Sequence, residues 1–338
     1  MFQKYPSLEN HYNSKFISKI RFEGKDLGEW VVREKIHGTN FSVIITKNSI
    51  SACKRSGHIL PSESFFGHEM VMKTYGPSFR KIQTLIIDGK IDVEVYQIFG
   101  EFAGGGIQKE VDYGEKDFYV FDILTYRKDG TDFYYDDKSM TEFCSNFGLK
   151  TAPLIAYGTF DELSTTVNDF DSVVNYYNEL VRMTDIEHAN NHNFGYLPSS
   201  EAGKNVAEGY VLKPIIPDFF NSGARIAIKS KNSRFTEKKK SDKPIKPKAE
   251  LSENDQTILA NLSEYSTWNR VSNVLSKIGE VGPKDFGKVM GLTMQDILIE
   301  AGREDVDLNS ADDPSLIKKE LQQIIIKTIR EKWGEVVN

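Results

Sequence analysis

The apolar pattern of this chain changes period once, and that change constrains the architecture more than any other feature. Up to about Lys231, β-branched and aromatic residues alternate with polar ones in short runs near 41–46, 92–98, 118–124, 208–213 and 225–231, the two-residue period of strands. Short helical patterns intervene at 78–87 and 136–146. Lys238 to Pro247, with Pro244 and Pro247, reads as an extended linker. Beyond it the period becomes helical. Ser252 with Asp255 has the form of a capping box ahead of Ile258, Leu259 and Leu262, and Val271, Val274, Leu275 and Ile278 follow before Gly279. Thr293 with Asp296 repeats the start signal, and Asp313 before Pro314 opens an amphipathic run through Ile317, Leu321, Ile324, Ile325 and Ile329. The pattern predicts an α+β domain with antiparallel sheets over 1–237, a basic linker over 238–248 and a small all-helical domain over 249–338. Asn190 to Lys204, polar and rich in Gly, Ser and Asn, reads as a surface loop.

At 338 residues the chain can bury two cores. No apolar run reaches membrane-spanning length and the N-terminus lacks a signal-peptide core, so no membrane partner is expected. The cysteines, Cys53 and Cys144, imply neither a disulfide framework nor a zinc cluster, and a reducing, cytoplasmic setting is the simplest expectation. The net charge of −6 argues against general nucleic-acid binding, yet ten basic residues stand between Arg225 and Lys248 against Glu237 and Asp242. So concentrated a stripe suggests a localised polyanion groove, although a solvated lysine-rich linker accounts for Lys238 to Lys240 as well.

Lys35 lies in Glu34-Lys35-Ile36-His37-Gly38-Thr39-Asn40, between two strand patterns. A lysine can attack an α-phosphorus once its amine is deprotonated and the phosphate is held in line. Gly38 permits close backbone approach, and His37 can donate to phosphate oxygens. By itself the element also describes a solvated lysine before a turn glycine. Lys229 and Lys231 share one face of the run from Arg225, with Ile226 and Ile228 on the other, which suits either a triphosphate or a solvated edge. Glu101 and Glu208 lie at strand ends, where two carboxylates could bind ribose hydroxyls and organise Mg²⁺.

Further motifs stand in order: Phe99-Gly100-Glu101-Phe102-Ala103-Gly104, Phe118-Tyr119-Val120-Phe121-Asp122-Ile123, Ala207-Glu208-Gly209-Tyr210-Val211-Leu212-Lys213 and Ala227-Ile228-Lys229-Ser230-Lys231. With the Lys35 element they resemble the covalent nucleotidyltransferase superfamily of ATP-dependent ligases and capping enzymes. The opening Met1-Phe2-Gln3-Lys4-Tyr5, the run from Ser7 to Asn13, Glu237 to Pro244 and Ile278 to Leu292 resemble more closely the RNA ligase 2 family of T-even bacteriophage, the double-stranded RNA nick-sealing and RNA-repair ligases. The resemblance implies an antiparallel-sheet, ATP-grasp-like ligase domain followed by helices, without the OB-fold barrel of DNA ligases and capping enzymes. It implies that Lys35 is adenylylated by ATP, with Mg²⁺ as cofactor and Mn²⁺ able to substitute. His37, Glu208, Lys229 and Lys231 would share the catalysis, Lys229 and Lys231 contacting the ATP phosphates and Glu208 helping to place metal. Glu34, Ile36, Asn40, Arg55 and Lys213 would join the nucleotide pocket, with Glu101 on the ribose and Phe121, otherwise a core residue, against the adenine. The substrate would be nicked duplex or bridged RNA, acted on by a monomer with no obligate protein partner. Arg33, the neighbouring Phe65 and Phe66 (one core, one exposed) and Arg270 are the residues expected to touch it, with Asp296 capping a helix or orienting a basic neighbour.

Three signals carry less. His188 and His192 have helical metal-site spacing but no third ligand and a poor helical context. Gly104-Gly105-Gly106 reads as a turn, and Gly203-Lys204 lacks P-loop spacing. A capping-type guanylyltransferase is the nearest rival enzyme, and a nucleic-acid-binding protein that has kept the fold without catalysis is the alternative from another class.

Overall fold

The computed structural model describes residues 2–89, 91–195, 204–235, 250–278, 281–304 and 306–337. It divides into two compact units, Met1–Pro247 and Lys248–Asn338. In the first unit the strands are β1 (Glu9–Asn10), β2 (Glu29–Glu34), β3 (Thr39–Thr46), β4 (Ile50–Lys54), β5 (Gly57–His58), β6 (Val95–Ala103), β7 (Asp117–Tyr126), β8 (Asp132–Tyr134), β9 (Leu154–Thr159), β10 (Gly209–Pro214) and β11 (Ile228–Lys231). Its helices are α1 (Ser14–Phe22), α2 (Glu69–Thr74), α3 (Gly76–Ile87), α4 (Asp137–Asn146), α5 (Phe160–Ser164), α6 (Val174–Met183) and α7 (Ile186–Asn191).

Two sheets organise this unit, in the orders β1-β11-β10-β2-β9 and β5-β4-β3-β6-β7-β8. All ladders are antiparallel except β1 on β11, where Glu9 faces Ile228 in a parallel pair that the pattern of antiparallel sheets did not anticipate. Alternation does the sorting. In β3, Phe41, Val43 and Ile45 point to one face and pack on Phe79, Ile82 and Ile86, the apolar stripe of α3, together with Met140 and Cys144 of α4. In the other sheet Trp30 and Val32 of β2, Leu212 of β10 and Ile228 of β11 pack under Ile17 and Ile20 of α1 and Phe160 of α5.

The chain leaves β2 in one sheet and enters β3 in the other through Lys35–Gly38. At this crossing Lys35 N–H donates to the Gly209 carbonyl at 2.9 Å. A Cβ on Gly38 would collide with the Phe102 carbonyl and Ala103. The glycine is therefore required for packing of the crossing, a constraint independent of any nucleotide.

The second unit is helical: α8 (Glu253–Ser263), α9 (Trp268–Ile278), α10 (Phe286–Arg303) and α11 (Pro314–Val336). Ile258, Leu262, Val271, Val289, Ile297, Ile317, Leu321, Ile325 and Ile329 form its core. After Lys231 the described residues contain no strand ladder, only the isolated bridge Val281–Val337, and no barrel. No helix among the described residues is long and apolar enough to cross a membrane.

Several local expectations are corrected. Thr293 and Asp296 do not start a helix, because α10 already runs continuously from Phe286 to Arg303 and Thr293 is buried. Ser252 does cap α8, accepting from Asp255 N–H at 3.1 Å, but Asp255 does not close the box. Its buried carboxylate accepts the Asp312 and Asp313 N–H groups at 2.8 and 3.0 Å and pins the entry to α11. Asn190 belongs to α7 and is buried; it accepts from Tyr177 Oη at 2.6 Å and donates to the Leu149 carbonyl at 3.0 Å. His188, like Asn190, sits in α7, so that stretch is helical after all. The turn reading of Gly104 to Gly106 is supported by φ values of 90°, 51° and 88°. The linker and most of the loop after Gly195 lie outside the described residues.

Gly209 has φ 138°, and a Cβ there would strike the Ser230 carbonyl of the adjacent strand. Gly209→Ala should destabilise the sheet by about 3 kcal/mol. Gly28→Ala, with nothing near its added methyl, should stay within about 0.5 kcal/mol of the parent. Urea denaturation followed by tryptophan fluorescence compares the two, and equal stability would contradict the close approach.

Candidate active site

Between the two sheets opens a cavity of about 290 Å³. Its walls are Arg33, Glu34, Lys35, Ile36 and Asn40 from β2, the crossing and β3, then Arg55, Glu101, Phe121, Ala152, Val211 and Lys213, Lys229 and Lys231, and the N-terminal stretch Tyr5 to Leu8. Every residue expected in the nucleotide pocket lines this one cavity. His37 and Glu208 are not among these walls; Glu208 bonds to Lys35 and Lys231, which are, and His37 bonds to Glu208.

The register explains the assembly. β2 pairs with β10, Tyr210 facing Glu34, and β10 pairs with β11, Gly209 facing Lys231. Lys35, Glu208 and Lys231 therefore arrive together. Lys35 Nζ donates to Glu208 Oε2 at 2.6 Å, and Lys231 Nζ reaches Oε1 at 3.1 Å. His37 Nδ1 lies 3.3 Å from the same Oε2, while its Nε2 lies 3.3 Å from Glu110 Oε2. In β11, Ile228 and Ser230 are buried and the two lysines face the cavity, as alternation requires.

Three carboxyls respond to this setting in two ways. Burial works to raise Glu208, but the His37 hydrogen bond and the Lys35 and Lys231 charges overcome it and hold the group at about 2. Glu208 is thus an anion throughout the neutral range. Glu101 is pushed up to about 7 by burial, with Lys35 opposing and the Glu208 charge adding. Glu34 is also raised to about 7 by burial, against the hydrogen bonds it accepts from Ser172 Oγ at 2.7 Å and Val173 N–H at 2.8 Å. Carboxyls driven apart in one cavity are a common sign of divided chemical roles.

Arg33, expected to touch RNA, also lines this cavity, with its guanidinium already paired inside the protein. Its guanidinium is buried and grips Asp137 by two bonds, Nε to Oδ1 at 2.8 Å and Nη2 to Oδ2 at 2.7 Å. It also donates to Thr141 Oγ1 and the Ala152 carbonyl, both at 2.7 Å. Burial works to raise Asp137, and Arg33 overcomes it to hold the group at about 2. A charged wall lies beyond: Lys213 donates to the Phe121 carbonyl at 2.8 Å and sits 3.6 Å from Asp137 and 3.8 Å from Asp122. Arg225 pairs with Asp122 at 2.6 Å, so it too belongs to the interior, not to a surface basic stripe. Tyr5 donates to Asp122 at 2.8 Å and sets its ring edge-on to Phe121 at 4.9 Å.

Phe65 and Phe66 are outside the cavity. Phe65 stacks on Phe41 with centroids 6.4 Å apart, and Phe66 is exposed at φ 51°, so the segment is a tight bend and not extended. Arg270 lies in the helical unit, where its Nη1 donates to Asp296 at 2.8 Å, with Lys277 at 3.2 Å from the same carboxylate. Asp296 thus orients basic neighbours and caps nothing. Asp137, Asp122, Tyr113, Ser172 and Glu110 were missed by the sequence reading. Each acts through a partner more than 70 positions away; Asp122, like Tyr5, stands within a motif quoted above, which assigned it no role.

Residues 28–231 match the family model described as RNA ligase. The chain belongs to the RNA ligase family. Residues 249–327 of this RNA ligase family member match a second model, described as T4 RNA ligase 2 C-terminal. Over 108 residues, 31% of this chain and 26% of the relative, it is 31% identical to the mitochondrial RNA-editing ligase 2 of Trypanosoma brucei brucei. Over 74 residues, 21% of this chain and 16% of the relative, it is 31% identical to the mitochondrial RNA-editing ligase 1 of the same organism. The match thus spans about a quarter of the first relative's length and less of the second's. A Naegleria gruberi RNA ligase solved with PPi has a TM-score of 0.45 at 18% identity, covering 69% of this chain and 57% of that one. A mutant of that ligase with ATP and Mn gives 0.43 at 18%, with the same coverage.

Glu34 supplies a pH test. Its folded value of about 7 exceeds the roughly 4.3 of an unfolded glutamate. The folded state therefore holds more protons between these values, and stability falls as pH rises from about 4.5 to 7. Glu34→Gln, which keeps an acceptor for Val173, should remove that slope. The variant should gain on the order of 3–4 kcal/mol over the parent at pH 8 and nothing at pH 4. Denaturant melts across pH read this, and parallel curves would contradict it.

Proposed function

We propose that this chain is an ATP-dependent RNA ligase of the RNA ligase 2 kind, sealing 3′-hydroxyl and 5′-phosphate ends through a lysyl-AMP and then an RNA-adenylate. The observation that carries the reading is the Lys35 amine, hydrogen-bonded to an ionised Glu208 at the rim of a cavity walled by Lys229, Lys231, Glu101 and Phe121. Adenine would lie against Phe121, the ribose by Glu101, and the phosphates by Arg55, Lys229 and Lys231. Lys35 Nζ attacks the α-phosphorus as the bond to pyrophosphate breaks, and the amine proton must leave before or with that attack. The AMP then passes to a 5′-phosphate oxygen of RNA, and a 3′-hydroxyl displaces it. Cations and preorganised N–H donors offset the phosphate charge at each stage, the main device of phosphoryl-transfer catalysis.

Among the described residues no three His, Cys, Asp or Glu side chains converge as a closed metal cage. Mg²⁺, and Mn²⁺ in its place, needs only one or two carboxylates when substrate phosphates complete its shell, so Glu208 fits as the residue to hold it. When bound, the ion would supply charge compensation at the phosphates.

Nicked duplex or bridged RNA is the substrate this reading favours, since a wide A-form minor groove presents the 2′-hydroxyls that mark RNA. The helical unit is the candidate for gripping it.

Lys35→Ala should abolish covalent labelling by α-labelled ATP while sealing of RNA already carrying a 5′-adenylate persists, read on denaturing gels. Labelling from GTP alone would point to a capping-type enzyme, and no labelling of the parent to a binding protein. Arg270→Ala should weaken nicked-RNA binding about tenfold in gel shifts and leave ATP labelling intact. Equal loss of both would remove RNA contact as the reason for this residue.

A further inference from the structure

His37 is held between two carboxylates, and the outer one has no part in the ligase reading so far. Its Nδ1 approaches Glu208 Oε2 at 3.3 Å, the same oxygen that takes the Lys35 amine at 2.6 Å. Anything that draws Glu208 toward a phosphate-bound cation therefore also loosens the imidazole on that side. On the other side Nε2 lies 3.3 Å from Glu110 Oε2.

Glu110 is not a loose surface side chain that happens to be near. It stands on the connection between β6 and β7, which the turn Gly104–Gly106 closes through Gly105 N–H to the Gly114 carbonyl at 2.9 Å. Its neighbours Val111 and Tyr113 are buried in the same apolar cluster as Ile36, the residue between Lys35 and His37. Tyr113 Oη accepts the His37 backbone N–H at 2.8 Å. Asp112 is tied on both sides: its N–H donates to Asn205 Oδ1 at 2.8 Å, and its carbonyl accepts from Asn175 at 2.9 Å. One loop thus holds the His37 backbone, its sequence neighbour and its ring, while Phe235 bounds the ring edge-on at 5.0 Å.

We propose that Glu110 is a positioning residue for His37. It fixes the imidazole through Nε2, so that Nδ1 stays directed at the Lys35 site when Glu208 is engaged elsewhere. This role rests on the ligase reading of the site. The Glu110 side chain is 61% exposed, so its effect is modest: about fivefold in rate, the range of an exposed ion pair.

The test uses the full chain with ring-¹⁵N-labelled histidine and single-turnover labelling by ATP. Of six histidines, the His37 ring signal, identified by its absence in His37→Ala, should shift in Glu110→Ala while the others hold. Labelling in Glu110→Ala should slow about fivefold at saturating ATP with little change in KM. Glu110→Gln should recover most of the rate, and Lys109→Ala should match the parent. On the His37→Ala background Glu110→Ala should cost nothing further. An unmoved His37 signal, or the same fivefold loss on the His37→Ala background, would overturn the proposal. Failure of the parent chain to take label would instead sink the ligase reading, with the ring shift still reporting whether the contact exists.

Discussion

The site depends on one carboxylate. Glu208 is buried, and it is tolerated as an anion because three cationic or donor groups from two segments close on it: Lys35 and His37 from the crossing after β2, and Lys231 from the end of β11. A buried carboxylate without such partners would carry a proton instead. The partners are brought within reach by backbone pairing alone, since β10 lies hydrogen-bonded between the strands that carry them. Gly209 follows Glu208 and lets the β11 backbone come close enough for that pairing. The electrostatics of the cavity are thus set by sheet register before any ligand arrives, the condition under which charge stabilisation costs least reorganisation.

Behind this centre lies a second layer of charge, Arg33–Asp137 and Arg225–Asp122 with Lys213 between the two carboxylates. These ions join β2, β10 and the entry to β11 in one sheet to β7 and α4 outside it. Burying them is expensive, and removing one partner would strand the other. In return they fix the distance between the sheets, and hence the width of the cavity, more rigidly than apolar contact alone would. Lys213 works in both layers, lining the cavity while anchored on the Phe121 carbonyl.

Much of the site was legible because its motifs are local. Alternation alone placed Lys229 and Lys231 on one face, and the ordered motifs brought Lys35, Glu101, Phe121 and Lys213 into one cavity. The pairings were not legible. Arg33 reads as a cation beside a nucleotide element, and only the fold reveals Asp137, 104 positions on, waiting for it. Asp255 and Asp296 show the same limit in the helical unit. Each has the local signature of a helix start, but the first spends its carboxylate on the entry to α11 and the second lies in mid-helix holding Arg270 and Lys277. Asn190 looked like loop material, yet it satisfies buried backbone from a distant turn. Side chains with several possible partners are decided by tertiary context, which one strand or one helix does not contain.

The parallel pairing of β1 with β11 has a consequence for how the molecule is made. Glu9 and Ile228 are neighbours in the sheet though more than two hundred residues apart in the chain, and Tyr5 to Leu8 wall the same cavity as Lys229 and Lys231. During synthesis the opening segment must wait, without its partner strand, until nearly the whole sheet unit has emerged. Contacts so distant in sequence are slow to close and leave apolar surface and an unpaired edge exposed meanwhile. The last strand of this sheet in chain order is also the one that brings Lys229 and Lys231 to the cavity, so a chain cut short of it has no complete cavity, and the site is finished only as translation of this unit ends.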